Sequence, residues 1–249
     1  MAYQAKGKIL KNSCVGGSYF KLSIFCPKIS KAALPGQFVN LKISHGFIPL
    51  LRRPISIHNV RGSNVDLLYE VVGKGTELLS RKKAGEELDL IGPLGNGFSA
   101  RGARRAILVA GGMGVAPLLF LAEKLKKQKP LVLIGAKTRK QILCVKEFEK
   151  IGCVVKIATD DGSCGFKGRA TDLLKKILVR VTIYACGPKP MLKAVCVIAK
   201  AKNMPAQISL EEHMACGIGA CLGCVVNTTK GMKRVCKEGP VFDSGEIIW

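Results

Sequence analysis

The chain has 249 residues, 48% of them apolar and 23% charged, with 40 Lys and Arg against 17 Asp and Glu for a net charge of +23. That length holds one large domain or two to three small ones, each with its own core, and the composition excludes a disordered chain. The basic residues fall in scattered pairs such as Lys82-Lys83, Lys126-Lys127 and Lys175-Lys176 rather than in a long run with interleaved aromatics, which argues for a solvated basic surface over a nucleic-acid binder, with attraction for an acidic partner or anionic cofactors as the second reading.

Met1 to Leu10 alternates polar and apolar residues without an apolar stretch and small-residue cleavage site, so no signal peptide is expected. Up to about residue 100 the pattern is short strands and turns. Phe20, Leu22, Ile24 and Cys26 alternate with Tyr19, Lys21, Ser23 and Phe25; Val39, Leu41 and Ile43 share one face, and Val65, Leu67, Tyr69 and Val71 another. Gly36, Gly46, Gly62 and Gly92-Pro93 punctuate them. A small antiparallel β-barrel over 1–102 fits this spacing. Within it, Arg52-Arg53-Pro54-Ile55-Ser56-Ile57 is followed by Gly73-Lys74-Gly75-Thr76, which opens a short helix. The chemistry suits a flavin dinucleotide: Arg53 to neutralise pyrophosphate, Ser56 to hydrogen-bond the isoalloxazine, and the Gly75 and Thr76 amides to hold phosphate. A plain surface strand explains the same residues equally well.

From Arg104 the pattern changes to apolar strands alternating with helices, as in a parallel sheet covered on both faces. The strand candidates are Ala106 to Ala110, Leu131 to Gly135, Val154 to Ala158 and Val181 to Ala185. Val115, Leu118, Leu119, Ala122 and Leu125 lie at helical spacing, and Leu173, Leu174 and Ile177 repeat this more briefly. The uncharged run Ala106 to Ala122 is shorter than the roughly 20 residues of a membrane span, and Gly111, Gly112, Gly114 and Pro117 break it into strand, turn and helix. Gly111-Gly112-Met113-Gly114-Val115-Ala116-Pro117 lets a cofactor diphosphate approach backbone, although Pro117 replaces the last glycine of a dinucleotide fingerprint. Ala185-Cys186-Gly187-Pro188 ends a neighbouring strand, where such sheets bind ligands. An α/β nucleotide-binding domain over 103–205 follows.

The remaining segment, 206–249, holds a possible strand at Gln207 to Leu210 and then Cys216, Cys221, Cys224 and Cys236, separated by four, two and eleven residues. This C-x4-C-x2-C opening has plant-type ferredoxin spacing, with small residues (Gly217, Gly219, Ala220, Gly223) in the gaps. Four-thiolate zinc is the competing metal, but it usually joins two short knuckles. A thioredoxin-like pair lacks its βαβ unit, and a Rieske centre lacks a second histidine beside His213. Eleven cysteines in a chain of this length indicate metal ligation and buried thiols in the cytoplasm rather than a disulfide framework.

Taken in order, R-R-P-I-S-I, G-K-G-T, G-P-L-G-N-G-F, G-G-M-G-V-A-P, T-D-D-G-S, C-G-P-K-P-M, S-L-E-E-H-M-A-C-G-I-G-A-C-L-G-C and V-C-K-E-G-P-V-F cover almost the whole chain. They resemble the electron-transfer subunits of NAD-dependent dihydroorotate dehydrogenases, within the ferredoxin reductase superfamily. The resemblance implies FAD on the barrel (Arg53, Pro54, Ile55, Ser56, Leu68, Tyr69, Glu70, Gly75 and Thr76) and NAD(H) on the α/β domain (Gly111, Gly112, Gly114, Cys186, Gly187 and Pro188). It further implies a 2Fe-2S cluster on Cys216, Cys221, Cys224 and Cys236. Electrons pass from nicotinamide through FAD and the cluster to FMN in a separate dihydroorotate dehydrogenase catalytic subunit, two of each forming a heterotetramer; no acid or base on this chain is needed, and orotate chemistry belongs to the partner. Related subunits of bifurcating ferredoxin:NADP reductases replace the first cluster cysteine with aspartate, so Cys216 favours the dihydroorotate type. The competing readings are a subunit of another oxidoreductase, such as a sulfide or glutamate-synthase-like flavoprotein, and a zinc-stabilised binding module. Lys137, Arg139 and Lys140 suit a 2′-phosphate, whereas the resemblance implies NADH.

Overall fold

The computed structural model describes residues 2–44, 46, 48–101 and 105–249. Strands β1 (Tyr3–Gly16) and β2 (Tyr19–Phe25) form a hairpin, and helix α1 (Pro27–Ala32) follows with Pro27 in its first turn, where the missing N–H costs nothing. Then come β3 (Phe38–Lys42), β4 (Arg53–Arg61), β5 (Asn64–Glu70), α2 (Lys74–Ser80) and β6 (Glu87–Leu94). These strands close a barrel in the order β1-β2-β5-β4-β3-β6, every pair antiparallel. Closure removes the free edges that a sheet of this size would otherwise expose. Leu22, Ile24, Val39, Leu41, Val65 and Leu67, the alternating residues of the sequence, fill the barrel. Strand β3 departs from simple alternation because its outer face is buried too, Phe38 in the core of the next layer and Asn40 beneath the cysteine loop.

The second layer contains β7 (Ala106–Gly111), α3 (Val115–Leu125), β8 (Leu131–Ala136), α4 (Val145–Lys150), β9 (Val154–Thr159), β10 (Phe166–Lys167), α5 (Ala170–Lys175), β11 (Thr182–Cys186), α6 (Lys189–Ala201) and β12 (Ala206–Ser209). The C-terminal segment adds the hairpin β13 (Val225–Thr228) and β14 (Gly231–Arg234), then β15 (Val241–Asp243). The sheet order is β10-β9-β8-β7-β11-β12-β15, parallel except for β15, which pairs antiparallel to β12. The chain winds outward from β7 in both directions, so the crevice at the C-terminal ends of β7 and β11 is the switch point where such sheets bind ligands. Segment 206–249 is thus anchored at both ends in this sheet, with Val235 and Phe242 packed in the same core as Phe38 and Leu94. The boundary expected between residues 102 and 103 lies outside the described residues. Among the described residues no helix is long and apolar enough to cross a membrane.

Helix α3 is buried almost all round, beyond the single face its periodicity suggests, because it is wedged between sheet and barrel: Leu118 and Leu121 pack on the sheet, and Phe120 joins the barrel core. On the same seam His58 of β4 is fully buried, and burial outweighs the Ala116 carbonyl beside it to bring its pKa from 6.5 to about 4. The unfolded chain takes up that proton first. Stability is therefore complete above pH 6.5, falls as the pH drops toward 4 and levels off below; circular dichroism melts across this range should show the loss, and His58→Asn should flatten it.

Candidate functional site

Cys216, Cys221 and Cys224 lie on the loop between β12 and β13, and Cys236 lies just past β14. Gly217 and Gly219 turn the loop through the left-handed region (φ +70° and +86°), and a Cβ on Gly217 would sit 2.5 Å from Asn40 Nδ2, so this position has no room for a side chain. The tight winding aims backbone at sulfur. The amides of Ala220 and Ile218 donate to Cys216 Sγ at 3.3 and 3.5 Å, that of Gly223 to Cys221 Sγ at 3.4 Å, and that of Cys236 to Cys224 Sγ at 3.4 Å. Burial pushes the Cys216 thiol up, but these N–H groups and the Cys221 side chain outweigh it and bring the pKa to about 6. A thiolate, the form that binds metal, is favoured there.

Cys216 lies near Cys221, and Cys236 near both Cys224 and Cys216, so the four thiols share one site. Two thiolates for each of two irons is the donor set of a 2Fe-2S cluster, and the arrangement fits it. Cys224 and Cys236 are buried, whereas Cys221 is exposed with Ile218 and Leu222 beside it in the chain, so one end of the site faces outward through an apolar rim. Arg234 braces the loop: its Nη1 donates to the Gly219 carbonyl at 2.7 Å while Nε and Nη2 grip the Glu238 carboxylate, whose pKa that bond lowers to about 2.

The two arginines of the barrel motif have different uses. Arg52 is committed to the fold, pairing with Asp89 at 3.0 Å and donating to the Asn40 and Asp89 carbonyls. Arg53, by contrast, has no acidic partner among the described residues; its guanidinium lies on the first turn of α2, where a Cβ on Gly75 would fall 2.2 Å from Nε. A cation held over helix N–H groups is repelled unless an anion joins them, so the cradle of Arg53, Gly75 and Thr76 fits a diphosphate. The Thr76 hydroxyl closes this turn by accepting the Val72 amide at 3.0 Å. Along β4, Pro54 and Ser56 lie on the outer face and Ile55 points into the barrel. On β5, Leu68 and Glu70 are outward, while the Tyr69 side chain is inside with its hydroxyl donating to Asn12 Oδ1 at 3.1 Å, so only its backbone is offered to the outer face.

The glycines of the second motif also divide. Gly114 is packed so closely that a Cβ would lie 2.0 Å from the Cys186 carbonyl oxygen, and Gly111 and Gly187 press on each other and on Met191. These residues let β7 and β11 approach. Gly112 differs: its φ is +53° and nothing lies within 4 Å of a Cβ built on it, so it borders open space at the switch point. That bare backbone fits the diphosphate of a dinucleotide. Cys186 is buried, with Ser209 and Glu211 nearby; burial raises both the thiol and the Glu211 carboxyl. Pro188 is exposed at the start of α6.

Asn40, Arg234, His58 and Glu211 escaped the sequence reading. Asn40 acts on Cys216 across 176 positions, His58 meets Ala116 and Arg234 reaches Gly219, and no local spacing reports such contacts.

Family models match in two places: the iron-sulfur cluster binding domain of dihydroorotate dehydrogenase B over residues 211–248, and the oxidoreductase NAD-binding domain over 108–197. The electron transfer subunit of dihydroorotate dehydrogenase B (NAD(+)) from Desulforamulus reducens is 41% identical over 97% of both chains. That from Clostridium acetobutylicum is 43% identical over 97% of this chain and 96% of its own. Among solved structures, the NADH-dependent reduced ferredoxin-NADP oxidoreductase, studied for flavin-based electron bifurcation, superposes with a TM-score of 0.86 at 32% identity, covering 98% of this chain and 90% of that one. With relatives this similar matching nearly end to end, the chain belongs to the family of electron transfer subunits of NAD-dependent dihydroorotate dehydrogenase B.

Proposed function

We propose that the chain moves electrons between NAD(H) and a separate FMN-containing catalytic subunit that interconverts dihydroorotate and orotate in pyrimidine synthesis, the two subunits assembling two of each in the cytoplasm. Its cofactors are FAD, a 2Fe-2S cluster and NAD(H). When bound, they supply hydride exchange at the nicotinamide and flavin and single-electron transfer at the iron. The residues of this chain hold and orient them: Arg53, Pro54, Ile55, Ser56, Leu68, Tyr69, Glu70, Gly75 and Thr76 for FAD, Gly111, Gly112, Gly114, Cys186, Gly187 and Pro188 for NAD(H), and the four cysteines for iron. This divides the chain by role into 1–102, 103–205 and 206–249.

The observation that carries the reading is the position of Asn40. Its Nδ2 donates to the Cys216 carbonyl at 3.1 Å, and in the barrel it stands opposite Pro54 of the flavin motif. A cluster ligand is thus one strand away from the proposed flavin strand, a favourable separation for electron transfer. The test is isolation of the native complex: a coloured complex containing FMN, FAD and iron that reduces NAD+ with dihydroorotate is expected, and a colourless zinc protein sinks the reading.

NADH is the expected substrate. The loop carrying Lys137, Arg139 and Lys140 runs beside Asp160 and Asp161, joined through the Asp160 amide to the Ala136 carbonyl, the Asp161 amide to the Lys137 carbonyl, and the Arg139 amide to Ser163 Oγ at 2.8 Å. Two acidic residues next to the basic loop add negative charge that disfavours a 2′-phosphate. Parallel steady-state kinetics should give a kcat/KM at least about tenfold higher for NADH than for NADPH.

A further inference from the structure

We propose that His58 is a positioning residue that fixes the distance between the flavin-holding strand and the nicotinamide-holding loop, through one hydrogen bond from its Nδ1–H to the Ala116 carbonyl. This rests on the functional reading above and assigns it a residue outside both motifs. His58 Nδ1 lies 2.9 Å from Ala116 O. A carbonyl oxygen only accepts, so Nδ1 carries the proton and the tautomer is settled; Nε2 is then a bare lone pair, and it has no hydrogen-bond partner among the described residues.

An orphaned buried acceptor is unfavourable, and an apolar side chain of the same size would remove it. What such a side chain could not do is hold Ala116. The location gives that bond its meaning. His58 is two residues beyond Ser56 on β4, at the irregular register between Ile57 and Asn59, and its contact with α3 places it outside the barrel, so a shift of the helix is felt along the strand at Ser56. Ala116 is two residues beyond Gly114, which is wedged against the Cys186 carbonyl. The bond therefore runs from the strand proposed to carry the flavin ring, through the first turn of α3, to the loop and strand end proposed to carry the nicotinamide. Transfer between two stacked rings depends steeply on their separation, and a misplacement near 1 Å costs about a hundredfold. Apolar packing of α3 on β4 is compatible with small slips along the seam; a single directional bond at the start of the helix is not.

Holoprotein with His58→Phe, which keeps the ring and loses the donor, is compared with His58→Asn, whose Nδ2 can occupy the place of Nδ1. His58→Leu replaces the Phe variant if that one fails to fold. Flavin and iron content are measured first, then stopped-flow reduction by NADH and the long-wavelength absorbance that arises when nicotinamide stacks on flavin. Loss of the donor should slow flavin reduction about tenfold or more and weaken or shift the stacking band, with iron and flavin retained, and Asn should restore both to near wild type. The latch is overturned if wild-type flavin is reduced rapidly and all variants match it, or if Asn fails as badly as Phe or Leu. Wild-type flavin that NADH does not reduce overturns the functional reading itself, and this inference with it.

Discussion

Cys221→Ser should abolish the 2Fe-2S cluster and with it electron delivery to the catalytic subunit, while FAD content and NADH-driven dye reduction stay close to wild type. The separation is expected because Cys221 is exposed and its loop meets the barrel at Asn40 of β3, one strand away from the proposed flavin strand. A hydroxyl there disturbs no core. Cys224→Ser makes the contrast: its sulfur is buried in the sheet core and accepts the Cys236 amide, so the same exchange should also lower the melting temperature. Iron analysis, flavin absorbance, and assays with dye and with the reconstituted complex separate the outcomes. Wild-type delivery to the partner by Cys221→Ser would falsify the route through the cluster.

Gly114→Ala should be the most damaging single-methyl change in the nucleotide domain. Its new Cβ would meet the Cys186 carbonyl oxygen at 2.0 Å, a backbone atom within the sheet that has no rotamer to yield. Forcing β7 and β11 apart costs about 3 kcal/mol, and the variant should unfold earlier as well as lose NADH affinity. Gly112→Ala meets no neighbour, and the left-handed backbone penalty is about 1 kcal/mol. Its melting temperature should change little while KM for NADH rises, because the methyl fills the space where a diphosphate would lie. Thermal melts with NADH titrations distinguish a glycine kept for packing from one kept for a ligand; equal KM for Gly112→Ala and wild type counts against the proposed dinucleotide position.

The parts of the fold that were legible are those written in local patterns. Period-two alternation at Leu22, Ile24, Val65 and Leu67 marked the barrel wall, and the strand, glycine turn and apolar helix from Ala106 to Leu125 marked the nucleotide layer. The cysteine spacing is local too, since a small cluster needs ligands close in sequence. What stayed hidden arises from contacts between distant segments. Arg52 and Arg53 are neighbours of identical type, yet only the folded chain shows that Asp89 pairs with one while the other, bonded to the Leu51 carbonyl, has no acidic partner among the described residues. Asn40 reads as a polar residue on the outside of a strand until the cysteine loop covers it, and β15 is too short to stand out before β12 offers it an edge.

The antiparallel strand β15 also bears on how the protein matures. The chain leaves the sheet at Ser209, passes all four cysteines and returns only at Val241. During synthesis, therefore, the edge of β12 stays unpaired until Val241–Asp243 has emerged, and an unpaired edge is a site for misassociation. Winding the cysteine loop around iron shortens the excursion that β15 must close, so iron supply during biogenesis should govern how quickly the nucleotide sheet is completed. Cells starved of iron should accumulate a chain that is deficient in dinucleotide binding as well as in its metal.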